Sequence, residues 1–330
     1  MPAGADPGRP GLRVVTAEAP AKLNLGLAVL GRRPDGFHDI RTVFQAVDWF
    51  DRVVVHRTER PGIELEVVGD DRVPPGPENL IHRAAAALIQ LYRPPGGVAI
   101  RLEKGIPPGS GLGGGSSDAA ATLLALASLW GLEPGPGTLR SVAGTLGSDV
   151  PFFLLGGTAR GEGRGERLTP ESWTPPWAWI LAVPTFGIST GAAYLKAHKG
   201  LTESGQRPRM PGTALLHRDY AAFARNLVND LEPGVLELEP RLAAMRRAML
   251  EAGAPLVAMT GSGSTLFSVV PERSAEEVTT ADGGAAPPPN WTPWERGATW
   301  AGLSAAIPHL AHLRVCRSIS TGARVVGEAG

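Results

Sequence analysis

One cysteine, Cys316, stands in 330 residues. That scarcity excludes an internal disulfide framework and fits a reducing compartment. Neither charge sign is in excess: basic and acidic residues balance at 32 each, which removes nucleic acid and anionic membrane as bulk partners. No apolar run approaches the roughly 18 residues of a membrane-spanning helix. Residues 1–11 are rich in Pro and Gly, contain Asp6 and lack the apolar stretch of a signal peptide, so they read as a disordered lead-in. The seven histidines show no metal-ligand spacing, and Ser/His/Asp hydrolase signatures are missing. A cytoplasmic protein is expected, a monomer or weak homodimer, long enough for one large or two medium domains.

Glycine, by contrast, is abundant, and its densest cluster carries the strongest chemical signal. Ile106-Pro107-Pro108-Gly109-Ser110-Gly111-Leu112-Gly113-Gly114-Gly115-Ser116-Ser117-Asp118 packs five glycines and three serines into the nine positions 109–117. An Ala/Leu-rich helix is expected to follow, over about Asp118–Trp130. Glycines let backbone N–H groups turn toward one concave surface, and the helix adds orphan N–H groups and the positive end of its dipole. Such a site takes an anion, most often phosphate. No GxxxxGK[ST] occurs, so the loop is not a Walker A loop. It does satisfy GxGxxG. However, Val98, Ile100 and Leu102 alternate with Ala99, Arg101 and Glu103 in the preceding strand, whereas a first Rossmann strand is continuously apolar. The structural alternative is a Gly-rich turn capped by Ser116 or Ser117.

The segment resembles the ATP-binding motif of the GHMP kinases, the family of galactose, homoserine, mevalonate and phosphomevalonate kinases. Its form is most similar to the branch that phosphorylates 4-diphosphocytidyl-2-C-methyl-D-erythritol in isoprenoid precursor biosynthesis. Ala21-Lys22-Leu23-Asn24-Leu25, Pro34-Asp35-Gly36-Phe37-His38 and Gly147-Ser148-Asp149-Val150-Pro151 support that branch. The resemblance runs from about residue 17 to 270. It implies an α+β two-domain architecture: a ribosomal-protein-S5-like N-terminal domain and a ferredoxin-like C-terminal domain. It also implies a small-molecule substrate, ATP as phosphoryl donor and Mg²⁺. Competing readings are another GHMP small-molecule kinase, such as homoserine or mevalonate kinase, and a catalytically silent nucleotide-binding protein.

Periodicity sets the organisation. Leu23, Leu25, Leu27 and Val29 alternate with Lys22, Asn24, Gly26 and Ala28, a half-buried strand with Lys22 and Asn24 on its non-core face. Arg33-Pro34-Asp35-Gly36 is a turn, and strands are expected over Arg41–Val47 and Arg52–His56. Helices are expected over Asn79–Tyr92, Thr138–Leu146 and Glu239–Ala252, the last with Leu242, Met245, Met249 and Leu250 on one face and Gly253 as C′. Composition shifts toward Gly, Pro and charge within Glu162–Pro176, which divides the chain into 12–165 and 166–330. A strand is expected at about Ala178–Val183, a helix from Ser189 or Thr190, strands on both sides of Gly261-Ser262-Gly263-Ser264, a Pro/Gly/Ala-rich insertion at 271–297, and a last strand at Arg314–Ser320.

The resemblance implies roles residue by residue. Asp149 corresponds to the family's catalytic aspartate, the base for the attacking hydroxyl; a helix N-cap is its structural alternative. Lys22 corresponds to the lysine that keeps this carboxylate ionised and stabilises the developing alkoxide, against the exposed lysine that is commonest. Phe37 and His38 hold the positions of an aromatic–His pair that contacts cytosine. Phe replaces the Tyr often found there, which keeps the stacking face and removes a hydroxyl. Asn79 opens the adenine-side motif, with N-capping as its alternative, and Lys104 precedes the loop and reaches toward nucleotide oxygens, with a surface lysine as its alternative. Thr260, Gly261, Ser262 and Gly263 match the third motif, near substrate and phosphate, and Thr190 a position near the substrate diphosphate. Asn24 shares the Lys22 face. For Mg²⁺, Ser117 is a candidate ligand and Asp118 either a ligand or an acid serving the helix dipole.

Overall fold

β1 (Val14–Arg32) and β2 (His38–Thr58) are 19 and 21 residues long and pair antiparallel from end to end. The turn between them is held by Asp35, whose Oδ1 accepts the Phe37 N–H at 3.1 Å, and by Arg33, which pairs with Asp35 and Asp39. The computed structural model describes residues 14–135, 137–175, 177–204, 220–270 and 304–329. The expected lead-in and the insertion at 271–297 lie outside them. Two of the expected strands are thus one: β2 runs straight through Asp48-Trp49-Phe50-Asp51, where polar residues interrupt the apolar pattern.

Around this pair grows a seven-stranded sheet. Its path is β11 (Arg324–Ala329), β1, β2, β4 (Gly97–Glu103) and β3 (Ile63–Val68), with β5 (Thr158–Gly163) on β2 and β6 (Arg167–Pro170) on β5. β4 buries Val98, Ile100 and Leu102 as their alternation predicts, and it lies antiparallel to β2. Four helices cover one face: α1 (Leu80–Tyr92), α2 (Gly114–Leu129), α3 (Thr138–Leu146) and α4 (Val150–Leu155). α2 is apolar around almost its whole circumference and is buried accordingly, against α1, α4 and the sheet.

A second sheet of four strands follows the order β10 (Leu310–Arg317), β7 (Ala178–Pro184), β9 (Leu266–Val270), β8 (Ala258–Met259). Ala178, Ile180 and Ala182 of β7 pack toward α5 (Thr190–Ser204), α7 (Glu232–Leu238) and α8 (Pro240–Glu251); α6 (Tyr220–Asn226) precedes α7. In α8, Leu242, Met245 and Met249 are buried, but Leu250 is exposed, one position off the stripe. Gly253 adopts φ +96° at C′, as expected. The alternate residues of β7, Trp179, Leu181 and Val183, meet Leu23, Leu25, Val43 and Val47 of the first sheet in a third apolar core.

That third core overturns the half-buried reading of β1. From Val15 to Val29 nearly every residue of β1 is buried, on both faces, because layers far away in sequence cover each side. The last strand also differs. β10 overlaps the expected one, but the chain then returns as β11 and pairs with β1 in the first sheet.

α4 ends at Gly156, whose φ of +73° and ψ of −165° belong to a region essentially restricted to glycine. A Cβ there would fall 1.8 Å from the Gly322 nitrogen, on the segment leading into β11. Gly156→Ala is therefore expected to cost about 3 kcal/mol or more. Urea denaturation of the purified variant checks this, and an unchanged midpoint would show that the Gly322 segment gives way freely.

Candidate active site

The Gly-rich loop enters its helix four residues earlier than expected. α2 begins at Gly114, with Gly113 at the N-cap position in a left-handed conformation and no side-chain cap. Gly114, Gly115 and Ser116 thus form the first helical turn, whose N–H groups have no carbonyl behind them and suit an anion. Two glycines are needed for close approach. A Cβ on Gly111 would sit 2.6 Å from the Thr260 carbonyl oxygen and 2.7 Å from that of Gly263. One on Gly113 would sit 2.7 Å from Phe153 Cζ and 3.1 Å from Lys22 Cε. The loop is pressed between the third-motif turn and the β1 lysine, and only missing side chains allow it.

Lys22 is buried, at 4% exposure, with its Nζ donating to Asn24 Oδ1 at 2.5 Å and to the Gly111 carbonyl at 2.8 Å. Its Nζ lies 3.8 Å from Asp149 Oδ2. Burial lowers the Lys22 pKa from its ordinary value, and the Asp149 charge, which raises it, offsets only part. Asn24 is fixed in turn, donating to Thr42 Oγ1 at 2.8 Å. Asp149 stands at the N-cap position of α4 but makes no capping bond; its carboxylate is about one-third exposed and opens on the cavity. A capping role would need a bond that this side chain does not make.

A cavity of about 760 Å³ collects most of the expected site residues. Lys22, Asn24, Phe37, His38 and Asp149 line it, together with the loop from Pro107 to Ser116 apart from Leu112. Thr190 and Gly261–Gly263 close it, with Thr190 Oγ1 and Ser262 Oγ 3.0 Å apart. His38 stacks on Tyr194, ring centroids 5.0 Å apart, and Arg164 lies over the Phe37 ring at 4.7 Å. Burial and the nearby Asp149 charge raise the Tyr194 phenol pKa, so it remains a hydrogen-bond donor. Tyr194 and Arg164 had no motif to mark them. One turn of α5 separates Tyr194 from Thr190, a spacing that puts both on one face.

Six expected residues lie behind the wall. Leu112 is core, and its carbonyl accepts the Lys22 N–H at 2.9 Å. Thr260 is buried and its Oγ1 accepts the Asn24 N–H at 2.9 Å, stitching β1 to the third-motif turn. Asn229, which no pattern singled out, holds that turn from behind by donating to the carbonyls of Met259 and Gly261, each at 2.8 Å. Asn79 caps α1, accepting the Ile81 N–H at 2.9 Å, while its neighbour Leu80 reaches the cavity. Ser117 is fully buried, and its Oγ has no hydrogen-bond partner among the described residues. Lys104 is buried beneath the loop between Asp51 and Asp118, 2.8 Å from Asp118 Oδ2. Asp118 therefore faces inward, away from the cavity.

This geometry suits a polyanion and a hydroxyl acceptor: donor N–H groups, a buried ammonium and a partly exposed carboxylate share one space. Comparison with known proteins agrees. The family models for the GHMP kinases N terminal domain and for GHMP kinases C terminal match residues 79–157 and 213–281. A relative from Pelotomaculum thermopropionicum, named 4-diphosphocytidyl-2-C-methyl-D-erythritol kinase, is 43% identical over 266 residues, covering 80% of this chain and 92% of its own. The chain belongs to the GHMP kinases. A crystal structure of a 4-(cytidine 5'-diphospho)-2C-methyl-D-erythritol kinase superposes with a TM-score of 0.66 at 39% identity, over 80% of this chain and 95% of that one. A homoserine kinase from Cytophaga hutchinsonii, 19% identical, shares the fold, with a TM-score of 0.69 over 95% of this chain and 98% of its own. The fold is that of the GHMP kinases, with both their N-terminal and C-terminal domains matched.

The Lys104 ion cluster yields a stability test. Burial pushes the Lys104 pKa down, but Asp118 and Asp51 together outweigh it and the net shift is upward. Burial likewise holds the Asp118 carboxyl well above its ordinary 3.8, against the lowering effect of Lys104. A carboxyl raised on folding keeps its proton where the unfolded chain has lost it, so stability falls as pH rises through that window. Lys104→Met widens the window by removing the compensating charge. It is expected to cost about 3–5 kcal/mol near neutral pH, the range for breaking a buried pair, and the deficit should narrow as pH is lowered. Urea midpoints at two pH values check this; a pH-independent deficit would assign the loss to packing alone.

Proposed function

We propose that this chain transfers the γ-phosphoryl group of ATP to the 2-hydroxyl of 4-diphosphocytidyl-2-C-methyl-D-erythritol. The observation that carries the reading is one cavity shared by the helix N-terminus of the Gly-rich loop, the Lys22–Asp149 pair and the Phe37–His38 pair. Relatives that bear the name of this activity cover most of the chain and lend it support. With one cysteine the sequence offers no internal disulfide, in keeping with a place in the cytoplasm.

In this reading the ATP phosphates rest against the N–H groups of Gly114, Gly115 and Ser116. The substrate hydroxyl oxygen bonds to the γ-phosphorus, its proton passes to Asp149, and the bridging oxygen leaves with ADP. Lys22 faces both Asp149 and the loop carbonyl of Gly111, so its charge steadies the carboxylate before transfer and the oxygen anion during it. Phe37 offers a ring face to cytosine, and His38 a polar edge for it. Mg²⁺ brought with ATP would be held by the Ser116 hydroxyl on this wall, which leaves Asp149 free to take the proton. When bound it neutralises charge between phosphates, and it draws most of its ligands from phosphate and water.

ADP release with the cytidyl substrate, set against homoserine, mevalonate and galactose, tests the assignment. Preference for any of the last three would overturn it. Asp149→Asn is expected to leave ATP affinity intact and lower turnover by about 10²–10⁴-fold, the usual range for a lost general base; near-normal turnover in the folded variant would remove Asp149 from the reaction. Phe37→Ala should weaken the cytidyl substrate by about 1–3 kcal/mol, one base–aromatic stack, and leave ATP unaffected. His38→Ala should instead erode discrimination against the uridyl analogue. Titration of both compounds and ATP reads the difference, and equal loss for all three would make the pair structural.

A further inference from the structure

Among the described residues the cavity wall carries three cations, and two of them hold no carboxylate in an ion pair. Lys22 is engaged by Asn24, Gly111 and Asp149. Arg32 and Arg164 also line the cavity, yet no carboxylate among the described residues lies within salt-bridge distance of either guanidinium. Asp35, close enough to feel the Arg164 charge, is taken by Arg33 and by the Phe37 N–H. Neighbouring arginines behave otherwise: Arg33, Arg41 and Arg160 each hold a carboxylate.

Arg164 is also deliberately seated. It occupies the tip of the β5–β6 hairpin between Gly163 and Gly165, both with positive φ. Glu166 fixes the tip by accepting the Arg164 N–H at 2.6 Å. β5 in turn pairs with β2, Gly163 opposite Ile40, two residues beyond His38. The guanidinium is thereby carried onto the face of Phe37 at 4.7 Å, and no carboxylate among the described residues forms an ion pair with its planar fork of donors.

We propose that Arg164 is a specificity-determining residue that grips the diphosphate of the nucleotide-linked substrate, using Phe37 as its backing. The inference rests on the cytidyl reading of the site. A substrate that brings a diphosphate as well as a base needs positive charge outside the loop that serves ATP. Arg164 supplies it beside the ring proposed for the base, and guanidinium suits phosphate oxygens bidentately. Arg32, on the same wall, adds to the local field.

The test is calorimetric titration of CDP, CMP and cytidine into the full chain and into Arg164→Met and Arg164→Lys. The Met variant keeps an apolar stem on Phe37 and removes the fork. It should weaken CDP about tenfold or more, the loss expected for one charge-assisted contact, and change cytidine by less than about twofold, with Lys recovering part of the affinity for CDP. The KM for ATP should stay near that of the parent chain. Unchanged CDP affinity in Arg164→Met, or equal losses for CDP and cytidine, would overturn the proposal while leaving the cytidyl reading intact. Failure of the parent chain to bind CDP at all would overturn both.

Discussion

The Gly-rich end of the cavity rests on one buried ion cluster. Lys104 closes β4, Asp51 lies in β2, and Asp118 lies in the first turns of α2. Asp51 Oδ1 also accepts the N–H groups of Gly105 and Ile106, at 2.6 and 2.7 Å. Both ends of the Gly-rich loop are therefore tied to the same three charges. A loop with so much glycine would otherwise sample many conformations, and a cradle of N–H groups needs one. The cluster lends the loop the stiffness its own sequence lacks, and the N–H groups of the first turn of α2 are held in place without a ligand.

Lys22 shows the opposite balance. Its ammonium is buried, bonded to neutral oxygens and only loosely opposed by Asp149. Such a group costs folding stability and is retained where its charge is needed. The contrast is instructive: two lysines, both buried, with pKa shifts in opposite directions. Lys104 meets two carboxylates and is shifted up, whereas Lys22 meets one at a distance and is shifted down.

Much of this was legible before any coordinates. The alternation in β4, the helix punctuated by Asn79, and the four motifs with their spacing are local properties, and local properties survive in sequence. What could not be read depends on distant layers. The burial of both faces of β1 follows from α2, from β7 and from the third-motif turn, all distant in the chain. The early start of α2 follows from the way Gly113 to Ser116 wind under an open cavity, where propensity argues against a helix. Lys104 has the look of a free cation in sequence because its partners Asp51 and Asp118 sit on separate elements. Arg164 lies in a Gly-Arg-Gly-Glu turn that reads as a simple hairpin tip, and only pairing with β2 brings it to Phe37.

The return of β11 to the first sheet has a consequence for how the molecule is made. Val14 and Val15 pair with Ala329 and Glu328, some three hundred positions apart in the chain. Until the far end of the chain is available, one edge of β1 has backbone groups exposed and unpaired, the kind of edge on which strands of other molecules add. Contacts of such long range form late and slow the final step of folding. The nascent chain thus carries its Gly-rich loop and most of its core well before its sheet is sealed, and the vulnerable interval is the time taken to complete the second sheet.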